Sequence, residues 1–221
     1  MGAVLDLINV LFEPSAVYER LREKPKVLAP YIALAVVAAI LAVIQSPFTK
    51  AGIAAQMAQT PNITPEQAAT GVKIGSTIAL IAPPIFYIII LLLQAFLLWV
   101  TVSLLAGEAK FGTLLSVCTY ASITFILLNI VGVIVLFVKG VGSIASPADL
   151  QPALGLDLLA PGATGHMLAL LKGINPFAVW GVILTAIGVQ VTHKTSKGTA
   201  YTAAIVPAVI LLLIAAAFAR S

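Results

Sequence analysis

Long apolar runs alternate with short polar stretches along this chain. The longest run, residues 76–105, holds no Asp, Glu, Lys, Arg or His. About 30 residues at roughly 1.5 Å each make about 45 Å of helix, more than the roughly 30 Å hydrocarbon core of a bilayer. Pro83 and Pro84 divide the run. Pro84 removes a donor and pushes Pro83 out of the helical region, which predicts a kink or a fresh helix start there. Residues 84–105 then suffice to cross once. The other runs predict further spans at 27–45, 113–138, 176–192 and 199–219. The expected fold is therefore all-α: a polytopic integral membrane bundle of five transmembrane helices with an amphipathic N-terminal segment.

The polar stretches carry turn and cap signals of their own. Residues 46–75 read as a hydrophilic loop in which Thr64-Pro65-Glu66-Gln67 is a capping box with proline at the first helical position. A helix starting there is expected to run into the long apolar stretch and bend at the proline pair. Residues 106–112 form a tight loop, and residues 139–175 form a second long loop broken at Ser146-Pro147, Gln151-Pro152 and Pro161-Gly162. Asn175-Pro176 opens the fourth span, residues 193–198 make a basic turn, and Pro207 implies a kink in the fifth span.

Residues 1–26 are different in kind from residues 27–221, the transmembrane domain. On a helical wheel Val4, Leu5, Leu7, Ile8, Leu11 and Phe12 share one arc, and Asp6, Asn9 and Glu13 share the other. Pro14 fits the first turn of a second helix, with Val17, Tyr18 and Leu21 on one side and Glu19, Arg20, Arg22, Glu23 and Lys24 elsewhere. Two readings are open. The helices lie on the membrane with Arg20, Arg22, Lys24 and Lys26 as a surface basic cluster, or they pack against the protein's own cytoplasmic face.

Composition sharpens the class. Of 221 residues 61% are hydrophobic and 9% charged, against about 25% charged in soluble domains. Mean hydropathy is +1.11. The net charge of +4 is too small and dispersed for nucleic acid. With the N-terminus cytoplasmic, that side holds Arg20, Arg22, Lys24, Lys26, Lys110, Lys194 and Lys197. The other side holds Lys50, Lys73, Lys139, Lys172 and Arg220 across longer loops. The positive-inside rule thus favours N-in, C-out with five spans.

Candidate chemistry is sparse. No ionisable Asp, Glu, Lys, Arg or His falls within the predicted spans, although coupled transporters usually need such groups. No catalytic residues, metal ligands or cofactor-binding residues are predicted. Asp157 and His166 lack a ligand spacing of a recognised kind, and Cys118 reads as a buried structural thiol. Gln94 and Asn129 are the polar amides at membrane depth, expected as interhelical glue, and Gly181 and Thr185 form a small-residue face suited to close packing.

Leu11-Phe12-Glu13-Pro14-Ser15, followed by Tyr18-Glu19-Arg20-Leu21-Arg22-Glu23-Lys24-Pro25, resembles the N-terminal signature of prokaryotic Yip-domain proteins, the Ypt/Rab-interacting membrane family. The likeness continues at Gly112-Thr113-Leu114-Leu115-Ser116-Val117, at Tyr120-Ala121-Ser122, at Asn175-Pro176-Phe177-Ala178-Val179-Trp180 and at Ala186-Ile187-Gly188. The resemblance implies a helical membrane protein with a non-enzymatic role. Eukaryotic members bind Rab GTPases and one another and commonly carry a longer cytoplasmic N-terminal region than the one present here, so GTPase binding is not carried over. The expected function is an integral membrane scaffold or accessory subunit. Its expected partners are the lipid bilayer and other membrane proteins or itself. The alternative is a small-solute or lipid transporter or channel, motivated by the prolines and by Gln94 and Asn129.

Overall fold

The computed structural model describes residues 2–219, and every regular element among them is helical. Two short helices, α1 (Gly2–Asn9) and α2 (Pro14–Glu23), precede the long helices α3 (Leu28–Ala58) and α4 (Pro65–Ala106). Next come α5 (Phe111–Ala121) and α6 (Ile123–Lys139), then three short 3-10 turns, α7 (Gly165–Gly173), α8 (Pro176–His193) and α9 (Lys197–Ala217). Counting α5 and α6 together, five helices are long and apolar enough to cross a membrane. The all-α, five-span expectation holds. Arg220, counted above among the basic residues of the outer side, lies outside the described residues.

Three local features depart from the sequence reading. Within residues 46–75 α4 starts at Pro65 as the capping box predicts, but α3 continues through Pro47 to Ala58, so only residues 59–64 remain as the connection. Proline removes one donor, but Phe48 next to it is 2% exposed and holds the helix by packing. Likewise α4 runs unbroken through Pro83 and Pro84 rather than restarting. The third span, expected as one helix, divides at Ser122. There Ser122 Oγ donates to Thr119 O at 2.7 Å and Thr124 Oγ1 to Ala121 O at 3.1 Å, and such local hydroxyl bonds compete with the helical ladder.

The helix starts follow their caps. Thr64 N–H donates to Gln67 Oε1 at 2.9 Å and Gln67 N–H to Thr64 Oγ at 3.2 Å, completing the predicted box. Asn175 Oδ1 accepts from Ala178 N–H at 2.9 Å, and Ser196 Oγ accepts from Thr199 N–H at 3.1 Å.

The chain divides into two compact units. The first comprises Met1–Leu34, Ile88–Phe125 and Ala153–Ser221; the second comprises Ala35–Tyr87 and Ile126–Pro152. In the first, α5 is central. Thr113, Leu114 and every residue from Ser116 to Ala121 are buried, with α8 and α2 against it. Leu91, Leu98, Leu114, Cys118, Val189 and Ala203 meet in its core. The second unit is an antiparallel hairpin of the facing halves of α3 and α4, joined by most of α6. Gly71 lies against Met57 and Gly75 against Ile53, while Phe48, Leu136 and Ile144 form its core.

Candidate functional site

The N-terminal segment settles into two different environments. In α2, Val17, Tyr18 and Leu21 are at most 1% exposed and pack on α5 and α8. This is possible because Gly188 leaves a notch in α8: a Cβ there would lie 2.4 Å from Val117 Cγ1 and 3.1 Å from Tyr18 Cζ. The ring of Tyr18 fills that notch, and its buried hydroxyl has no hydrogen-bond partner. Burial pushes the Tyr18 phenol well above its ordinary range, and Cys118 and Tyr120 add to the shift.

In α1 and the turn after it, only one side is covered. Leu7 and Val10 are buried, and so is Asp6, which pairs with Arg20 of α2. Val4, Leu5, Ile8 and Phe12 point outward, with Phe12 77% exposed. The wheel had placed Asp6 on the water-facing arc. The ion pair explains the reversal, because a carboxylate leaves water only when paired. Two further bonds fix the segment on α5: Tyr120 Oη donates to Ala3 O at 3.1 Å, and Ser116 Oγ to Lys26 O at 2.7 Å.

Of the predicted basic cluster, Arg20 is therefore engaged with Asp6, whereas Arg22, Lys24 and Lys26 are exposed. Gly181 and Thr185 lie on one face of α8. A Cβ at Gly181 would sit 2.8 Å from Thr124 Oγ1, and buried Thr185 donates to Gly181 O at 2.8 Å. Gln94 is half-buried on α4 in the first unit, and Asn129 is half-buried on α6 in the second.

The remaining candidates have local roles. Asp157 Oδ1 accepts from Gly155 N–H at 2.9 Å, and His166 Nδ1 lies 2.6 Å from Ala216 O. His193, at the start of the basic turn, is half-buried. Its Nε2 accepts from Lys110 N–H at 3.3 Å and its Nδ1 lies 2.8 Å from Thr192 Oγ1. Since Thr192 Oγ1 donates to Gly188 O, this network assigns the proton to Nδ1. The sequence reading missed Asp6, Ser116, Tyr120 and Gly188 as fastening residues. An acid inside an apolar stretch was the one available signal.

From the end of α1 onward the sequence of this chain is matched by one family. The family model described as Yip1 domain covers residues 8–218. The chain belongs to the Yip1 domain family. It is also similar to "Membrane protein YknW" of Bacillus subtilis (strain 168), with 26% identity over 211 residues, 90% of this chain and 84% of the relative. No solved structure matches. In the structure the Leu11–Ser15 and Tyr18–Pro25 motifs lie at the turn into α2 and along it, and α2 meets α5 and α8.

Proposed function

We propose that this Yip1 family membrane protein is a non-enzymatic scaffold or accessory subunit that associates with lipid and with other membrane proteins or itself. The observation that carries the reading is how little of the spans the protein uses internally. In the most apolar window of α3 only 11% of residues are buried within the chain. On α4 a ridge of Ile74, Ile78, Ile81, Ile85 and Ile89 is exposed. Faces of this size need cover, from lipid or from neighbouring helices. The buried hydroxyls of Thr119, Thr185 and Thr192 are spent on carbonyls one turn back in their own helices, which supports a structural use of the interior. The same reading takes the membrane to be a prokaryotic cytoplasmic one, from the likeness to prokaryotic Yip-domain proteins, with the N-terminus inside and the C-terminus outside from the distribution of basic residues.

Gentle purification from native membranes with mass analysis of intact complexes tests it. A stoichiometric partner or a defined self-assembly is expected. A strict monomer with nothing bound would overturn the accessory role, and solute flux from proteoliposomes would then favour the transporter alternative.

A further inference from the structure

We infer that α1 and the turn after it lie at the membrane surface, with the ridge of Val4, Leu5, Ile8 and Phe12 seated in the phospholipid leaflet and fixing the depth at which the bundle sits. The inference rests on the lipid-associating part of the proposed function and names where on the chain that association occurs.

Three observations converge. The first is that the inward side of α1 is already used. Leu7 and Val10 are buried, Asp6 is paired with Arg20, and Ala3 O is held by Tyr120, so the exposed ridge faces away from the protein's own first unit. The second is the level of attachment. Tyr120 lies nine residues into α5, about 14 Å along it, and Ser116 holds Lys26 one turn earlier. The N-terminal pair thus lies alongside α5 near its C-terminal end, not beyond the helix ends. The third is where the hydrocarbon begins. The apolar stretch Phe111–Lys139, which begins with α5, is long and apolar enough to cross a membrane, so the N-terminal pair lies beside a membrane-crossing helix and not in the water beyond it. Two residues past Lys26, α3 opens with Leu28 at 70% exposure. The outward ridge of α1, held against α5, therefore faces the leaflet that these spans enter. An apolar ridge there meets lipid.

Charge plays the smaller part. Residues 2–26 carry four acids, Asp6, Glu13, Glu19 and Glu23, against four bases, Arg20, Arg22, Lys24 and Lys26. With no net charge on the segment, seating is driven by the apolar ridge and persists at high salt.

The test uses the full chain in phosphatidylcholine vesicles. Cys118 is fully buried, so single added cysteines at Ile8→Cys, Phe12→Cys and, as a water-exposed reference, Glu108→Cys take an environment-sensitive fluorophore selectively. Iodide quenching at positions 8 and 12 is expected severalfold below that at 108. Nitroxides on the upper acyl chain should quench 8 and 12 and leave 108 bright, with no change in 1 M salt. Equal iodide quenching at all three positions would overturn the proposal. So would shielding of 8 and 12 from both quenchers, the signature of a protein occupant, or loss of nitroxide quenching in salt. Because the readout uses the chain alone, it can fail while a partner is still found, and the reverse.

Discussion

The two units of the molecule hold together in different ways. In the first, several helices converge on α5, and alanines and glycines let them come close: Ala95, Ala200 and Ala203 are fully buried, and Gly188 admits both Val117 and Tyr18. In the second, a helical hairpin leans on one aromatic residue. Phe48 stacks edge-on against Phe137 at 5.0 Å and meets Leu136 and Ile144. Many small contacts give a unit that tolerates little added volume. One large side chain gives a unit that tolerates little removed volume. The contrast follows from what drives packing among membrane helices, where close approach supplies dispersion contact that lipid would otherwise supply.

Phe48→Ala is the largest expected perturbation, about 3 kcal/mol by analogy with buried aromatic truncations. Hydrogen exchange followed by mass spectrometry should show lost protection in residues 35–58 and 126–152, with residues 111–121 unchanged. Equal loss in both would erase the distinction between the units.

Gly188→Ala comes next, at about 1–3 kcal/mol, because its new methyl meets Val117 at 2.4 Å and the backbones must part. Thermal unfolding in detergent measures it, and the loss should fall on the first unit. Gly181→Ala is milder, about 1 kcal/mol, since the obstruction is the Thr124 hydroxyl rather than a core side chain. Adding Thr124→Ala should recover part of it, and a double-mutant cycle reading zero coupling would deny the contact.

Tyr18→Phe should run the other way, a gain of about 1 kcal/mol, because it deletes a buried hydroxyl without a partner. It also changes the alkaline limb of stability. Burial raises the folded phenol above its unfolded value near 10, so the stability it contributes is fully present below pH 10 and is lost as pH rises toward the folded value. The Phe variant should lose this alkaline slope.

The smallest effect belongs to the loop of the second unit. Burial acts upward on Asp149, but hydrogen bonds from Ser146 Oγ and from Ala145 and Ser146 N–H hold its carboxyl below the usual range, with Lys139 helping. A depressed folded value means stability present above the unfolded value and lost as pH falls through the folded one. Protection of the Ala145 and Ser146 amides, taken as exchange relative to the intrinsic rate at each pH, should fall there in the native chain and stay constant with pH in Asp149→Asn.

The sequence by itself determined the class, the five apolar helices, the Thr64–Gln67 and Asn175 caps and the family, because hydrophobic length and capping chemistry are local. Tertiary structure alone decided that α3 passes through Pro47, since Phe48 has a distant pocket to fill. It also decided which side of α1 is outside, since Asp6 finds Arg20 fourteen residues away. Gln94 and Asn129 looked alike in the sequence, yet they belong to different units. The physical reason is common to all three. In apolar helices alanine, leucine and valine serve lipid and protein equally, so periodicity marks no inside, and only the neighbours that arrive in the fold distinguish one face from another.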